Sequence, residues 1–178
     1  MASHVESVTG NSQVAILFAD VVGSTRLYEA MGDDRARATV QECLAVMKEA
    51  TDQFGGSVIK TVGDEVMSTF PSADDAMNAA SQMQQRITNN PAIGAEGVPF
   101  SIRIGCHFGA VTVENRDNFC VAVKTANRMT SQAKAGQIMT TAVTVDQLGH
   151  EWRAVARQLD VATVKGHSDE VAVFEVLW

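Results

Sequence analysis

Val14-Ala15-Ile16-Leu17-Phe18-Ala19-Asp20-Val21-Val22-Gly23-Ser24-Thr25 is an apolar run that meets an acid and then a turn. The β-branched and aromatic residues from Val14 to Ala19 read as a buried strand ending at Asp20. Gly23, Ser24 and Thr25 follow as turn and N-cap residues. They open a short helix to about Met31, and Asp33 begins a longer one to about Phe54, stopped by Gly55-Gly56. Two strand-like runs come next, Ser57 to Thr61 and Glu65 to Phe70. Val62, Gly63 and Asp64 join them as a tight hairpin with glycine where the backbone must turn. One acid at a strand end and another at a hairpin tip are therefore placed where adjacent strands of one sheet bring carboxylates together.

Beyond this point the pattern continues in the same alternation. Pro71 breaks the strand, and Ser72 caps a helix of about Ala73 to Asn89. A loop rich in Gly and Pro, Asn90 to Pro99, precedes two strands around Gly109, Phe100 to Phe108 and Ala110 to Glu114. After a polar turn at Asn115 to Asn118, Ala122, Thr125, Ala126, Met129 and Ala133 recur at helical spacing up to Gly136, with Lys124 and Arg128 four apart on one face. Strands at Gln137 to Thr140, Ala154 to Val164 and Val171 to Leu177, with a short helix near Val143 to Leu148, complete the chain. Strands paired by hairpins, with helices on one face, predict an α+β fold of ferredoxin or palm type, a βαββαβ core with extra C-terminal strands and helices. Residues 1–13 are expected to be a flexible segment and 14–178 the domain.

Composition narrows the function classes. At 178 residues and 46% hydrophobic the chain can bury the core of one domain without staples. A net charge of -7 argues against nucleic acid as partner. No stretch has the length of a membrane span, and the polar start lacks the basic and apolar pattern of a signal peptide. Cys43, Cys106 and Cys120 are odd in number and lack C-x-x-C spacing, so they read as reduced core thiols of a cytoplasmic protein. The alternation of Val171 to Trp178 ends the chain on structure. A regulatory domain in a longer chain stays open as an alternative.

The paired carboxylates suit two Mg²⁺ or Mn²⁺ ions, one activating an attacking oxygen and the other neutralising leaving phosphates. Backbone N–H groups of Gly23 to Thr25, at a helix start right after Asp20, suit phosphate oxygens. Taken singly, each aspartate also fits an ordinary turn or cap, and His107, Met77 and Met83 are most simply core residues. His4, His150 and His167 show no ligand spacing.

Phe18 to Thr25 and Lys60-Thr61-Val62-Gly63-Asp64-Glu65-Val66 together resemble the two metal motifs of class III adenylate and guanylate cyclases. The likeness runs on in order through Arg103-Ile104-Gly105-Cys106-His107-Phe108-Gly109, Val123 to Met129, Ala135-Gly136-Gln137-Ile138 and Val164-Lys165-Gly166. This resemblance implies that Asp20 and Asp64 bind the metals, with the Val21 carbonyl as a further ligand. It implies that Lys60 reads the purine base, that Arg103 lies near the phosphates, that Arg128 stabilises the transition state, and that Lys165 binds the triphosphate. It further implies a head-to-tail homodimer whose shared sites take Asp20, Asp64 and Arg103 from one protomer and Lys60, Val121, Lys124, Arg128 and Lys165 from the other.

Two positions depart from the family pattern F-G-D-x-V-N-x-A-A-R. Val121 stands where an Asp or Thr recognises the adenine amino group, and Lys124 stands where an Asn orients the ribose. Valine offers no hydrogen bond to a base edge, and an ammonium cannot accept one, so altered base selectivity and weak activity are expected. The resemblance thus implies an adenylate cyclase-like lyase acting on a nucleoside triphosphate, ATP first. The alternative is a degenerate cyclase fold that binds nucleotide and regulates without catalysis. A diguanylate cyclase, suggested by Gly63-Asp64-Glu65 alone, fits the other motifs poorly.

Overall fold

The computed structural model describes residues 12–90, 100–111, 116–163 and 170–178; the side chains of 12, 111, 116–120, 160–163, 170 and 171 also lie outside the description. Predicted features at 1–11, 91–99, 112–115 and 164–169, Lys165 among them, therefore lie outside the described residues, as does the side chain of Cys120.

Seven strands form one sheet: β1 (Ser12–Val22), β2 (Ser57–Val62), β3 (Glu65–Phe70), β4 (Ser101–Val111), β5 (Ile138–Thr141), β6 (Ala156–Thr163) and β7 (Glu170–Val176). Their order is β2-β3-β1-β4-β5-β7-β6. The first four strands, with helices α1 (Ser24–Met31), α2 (Asp33–Gln53) and α3 (Ala73–Thr88), make the expected βαββαβ core. β1 lies at its centre, antiparallel to both β3 and β4. α4 (Arg116–Gln132) then carries the chain to β5, which pairs parallel to β4, and α5 (Ala142–Asp146) and α6 (His150–Ala154) lead to the closing antiparallel hairpin β6–β7.

The run at Val14 to Ala19 is apolar at every position because β1 is covered on both faces. Ala15, Leu17 and Ala19 pack with buried residues of α2 and α3, whereas Ile16 and Phe18 pack with Ala122 and Ala126 of α4. This corrects the expectation that the helices share one face. Successive residues of a strand point to opposite sides, so Asp20 lies on the α4 side of the sheet, in line with Ile16 and Phe18.

The same helix corrects a second expectation. Gly109 does not divide two strands. β4 is continuous from Ser101 to Val111, paired with β1 along its whole length. A Cβ on Gly105 would fall on the backbone nitrogen of Thr130, and one on Gly109 would stand 3.2 Å from the Ala122 Cβ. The two glycines, four apart on one face, are the bed on which α4 lies. α4 also begins earlier than expected, since residues 116–118, read as turn, are helical.

Smaller differences have local causes. Asp20 is followed by two more strand residues that continue the ladder with β4. Ser72 caps α3 as expected, accepting from Asp75 N–H at 3.1 Å. The helix α6, absent from the sequence reading, is one turn long, too short for periodicity to register. Cys43 and Cys106 are buried free thiols, pushed up to about 12 chiefly by burial. Met77 and Met83 are fully buried in the core.

Candidate active site

Three strands bring the acids together. Asp20 pairs in register with Glu65 on β3 and with Arg103 on β4. The β2–β3 hairpin turns through Gly63 and Asp64, Gly63 taking a φ of 58°, which glycine adopts without strain. The turn is tied to the end of β1, because Val21 N–H donates to the Asp64 carbonyl at 3.2 Å. The Asp64 carboxylate comes close enough for its charge to raise the Asp20 carboxyl.

Arg103 donates from Nε at 3.1 Å and from Nη2 at 3.0 Å to the same oxygen, Asp20 Oδ2. Burial pushes the Asp20 carboxyl above its usual range. The Arg103 bond opposes this rise, and the neighbouring Asp64 charge adds to it. Glu65 is raised by burial and then by the charge of Asp20. Negative charge is thus concentrated beyond what Arg103 balances.

Such a donor set fits a hard divalent cation. Among the described residues no three His, Cys, Asp or Glu side chains form a metal cluster, and what this site offers a cation is carboxylates with the adjoining backbone. Mg²⁺ is commonly held in that way, by one or two carboxylates completed by water and substrate phosphates.

Beside the acids, α1 begins at Gly23, whose φ of 87° makes it the N-cap. Ser24 is the first helical residue and not the cap, and no side chain bonds the helix start. The first N–H groups of this eight-residue helix therefore receive no side-chain cap and are left to other acceptors. An open cavity of about 300 Å³ adjoins this turn, lined by Asp20, Val21, Gly23, Arg103 and Lys134 among others.

Of the remaining predicted residues, Lys60, Val121, Lys124 and Arg128 are described, and they do not converge on Asp20. Lys60 lies on edge strand β2, in register with Met67 and so on Asp20's side of the sheet. It is two strands away, about 10 Å across the sheet. On α4 the buried positions Ala122, Thr125, Ala126, Met129 and Thr130 face the sheet, whereas Val121, Lys124 and Arg128 are exposed on the outer side. Within one chain, then, Arg128 and Lys124 are separated from the carboxylates by the body of their own helix.

Two residues of the site were not singled out from the sequence. Glu65 is marked by its adjacency to Asp64 and its register with Asp20. Lys134 is marked only by the cavity, since its place after α4 gives no spacing signal. His107 is packed as expected, with Nδ1 2.8 Å from Thr141 Oγ1, and burial lowers it to about 4.

Known proteins share this architecture. An adenylyl cyclase from P. aeruginosa superposes with a TM-score of 0.81 over 94% of this chain and 95% of that one, at 24% identity. The guanylate cyclase domain of RhGC from Catenaria anguillulae, solved in complex with GTP, superposes at 0.77 over 94% and 97%, again at 24% identity. Both likenesses concern the fold. In sequence, the chain is 30% identical over 183 residues to an adenylate cyclase of Anabaena cylindrica, covering 92% of this chain and 36% of that protein. It is 29% identical over 136 residues to an adenylate cyclase of Streptomyces coelicolor, covering 76% and 34%. The chain spans less than half the length of these curated relatives. The match to the adenylate and guanylate cyclase catalytic domain runs from residue 6 to residue 176, across every strand described above, and the chain belongs to that family.

Proposed function

We propose that this domain is a nucleotidyl cyclase that converts a nucleoside triphosphate, ATP first, into its 3′,5′-cyclic nucleotide and pyrophosphate in a site shared between two copies of the chain. The observation that carries the reading is the meeting of Asp20, Asp64 and Arg103 beside the open N-terminus of α1. In the reaction the ribose 3′ oxygen bonds to the α-phosphorus, the bond to the bridging oxygen breaks, and the hydroxyl proton leaves to solvent. Charge builds on the α-phosphoryl group and on the departing pyrophosphate. Two Mg²⁺ or Mn²⁺ ions, held by Asp20, Asp64 and the Val21 carbonyl, would activate the 3′ oxygen and neutralise the phosphates. The N–H groups from Gly23 to Thr25 receive phosphate oxygens, and Arg103 holds Asp20 in place.

Support for sharing comes from what one chain lacks. Arg128 and Lys124 project from the outer side of α4, and Ile59 and Val62 on edge strand β2 are 51% and 63% exposed. A second copy set head to tail would bring an outer α4 face over the carboxylates and cover that edge. In this arrangement Arg128 stabilises the α-phosphoryl charge, Lys165 the triphosphate, and Lys60 contacts the base. No helix among the described residues is long and apolar enough to cross a membrane, and we place the domain in the cytoplasm. A regulatory segment elsewhere in a longer chain is in keeping with the length of the relatives.

The test is incubation of the purified chain with each of the four nucleoside triphosphates and Mn²⁺, with products identified by mass spectrometry. A cyclic product that disappears in Asp20→Ala and Asp64→Ala supports the reading. Nucleotide binding without cyclic product from any triphosphate would leave a regulatory module in its place.

A further inference from the structure

The loop after α4 forms one wall of the cavity beside Asp20, with Lys134 between Ala133 and Ala135. Its backbone is fixed by a dense set of bonds. Gly136 N–H donates to the Ile102 carbonyl at 2.9 Å, Lys134 N–H to Gln137 Oε1 at 2.9 Å, and Gln137 N–H to the Lys134 carbonyl at 3.0 Å. From α3, the buried Gln84 donates through Nε2 to the carbonyls of Ile102, at 3.2 Å, and Gln137, at 3.3 Å. Trp178 Nε1 donates to the Gly136 carbonyl at 2.7 Å. Ile102 precedes Arg103 in β4, so these bonds hold the root of Lys134 in a set position relative to the Asp20–Arg103 pair.

The two cations of this wall differ in their engagement. Arg103 is held by Asp20. Lys134 is exposed, and among the described residues its ammonium has no acidic partner. The same cavity is lined by Gly23, the N-cap of α1. At about 300 Å³ the open cavity is at the lower end for ligand pockets and has room for a polyphosphate. Helix N–H groups and an ammonium with no acidic partner among the described residues, both at one cavity, suit the oxygens of a diphosphate.

We infer that Lys134 is a further substrate-binding residue, whose ammonium meets the terminal phosphates of the triphosphate and of the pyrophosphate released from it. The assignment rests on the triphosphate reading above. It adds a cation supplied by the same protomer as the carboxylates, on the phosphate end of the site and away from the base.

Calorimetric binding to the whole chain in Mn²⁺ tests this, with pyrophosphate, ATP and AMP as probes. In Lys134→Gln the dissociation constants for pyrophosphate and ATP are expected to rise about tenfold, as for loss of one charged hydrogen bond, while that for AMP stays within about twofold. Lys134→Arg keeps the charge and is expected to stay within about threefold of wild type for all three. An unchanged melting temperature establishes that the surface exchange leaves the fold intact. Equal pyrophosphate affinity in wild type and Lys134→Gln overturns the assignment, as does an equal loss for AMP and pyrophosphate. Because the readout is binding, a wild type that binds pyrophosphate but makes no cyclic product removes the cyclase reading and leaves Lys134 to be judged by these affinities.

Discussion

Asp20 and Arg103 are register partners across β1 and β4, and two guanidinium nitrogens of Arg103 converge on a single oxygen of Asp20. The other carboxylate oxygen takes no bond from Arg103. A half-buried charge-assisted pair of this kind fixes the carboxylate plane, and lysine, with one nitrogen, cannot reproduce the double contact. Arg103→Lys is expected to lower kcat/KM for the triphosphate about tenfold at saturating Mn²⁺. Initial-rate kinetics would settle it, and an unchanged kcat/KM would mean that the pair does not orient Asp20.

The outward placement of Arg128 gives a prediction about assembly. If each site takes its carboxylates from one protomer and Arg128 from the other, Asp20→Ala and Arg128→Ala are each inactive alone but complement when mixed and allowed to exchange. Random pairing makes half the dimers mixed, each with one whole site, so about a quarter of wild-type activity is expected. No recovery after exchange, verified by mass labelling of the dimers, would show that the sites are not shared.

Where the sequence was legible, local chemistry was strong. The hairpin around Gly63, the Ser72 cap and the buried strand before Asp20 follow from turn, cap and apolar patterns that need no knowledge of distant contacts. Asp20 and Asp64 were legible as neighbouring acids because a strand edge and a hairpin tip confine where a side chain goes, whereas Arg103 was marked only through the resemblance to the cyclases. What was misread depended on α4. A helix laid across a strand leaves no periodic mark on that strand. On β4 its trace was Gly105 and Gly109, and a glycine in a strand reads equally well as a turn. Lys134 was missed for a related reason, since its importance comes from the residues that line the cavity with it.

The bed of α4 can be tested directly. Gly105→Ala sets a methyl on the Thr130 backbone, which cannot yield as the end of a side chain can. The cost is expected to be about 3 kcal/mol, at the upper end for overpacking. Gly55→Ala is a useful comparison, because that glycine has a φ of 74° but open space around it. Strain there should cost about 1 kcal/mol. Urea unfolding measures both, and a Gly105→Ala protein as stable as wild type would mean that α4 does not rest on β4 as described.

His107 gives the acid limb of stability a definite sign. Burial lowers its folded value to about 4, from an ordinary 6.5, so the unfolded chain binds the proton first. This contribution is fully present above about pH 6.5 and is lost as pH falls toward 4. Between pH 7 and 5 the loss is about 2 kcal/mol. His107→Gln keeps a hydrogen-bonding group for Thr141 and removes the titration, so its stability should fall less over that interval. Parallel pH profiles for the two proteins would show that His107 is protonated as easily when folded as when unfolded.

In the proposed shared site, selection of the nucleotide would fall to Val121 and Lys124, both exposed on α4 on the side away from their own carboxylates. A homodimer carries both departures in both sites, so no intact partner supplies the missing amide or carboxylate. Val121 is 37% exposed, and a larger polar residue there meets no core. Val121→Asp with Lys124→Asn should therefore fold as wild type does. Aspartate accepts from the adenine amino group and asparagine both donates and accepts at the ribose, each contact adding about 1 kcal/mol. The double variant is expected to raise kcat/KM for ATP about tenfold or more while leaving GTP unchanged or weaker. A lower rate with ATP would mean that this pocket reads its base through different contacts, with Lys124 serving the phosphates and not the ribose.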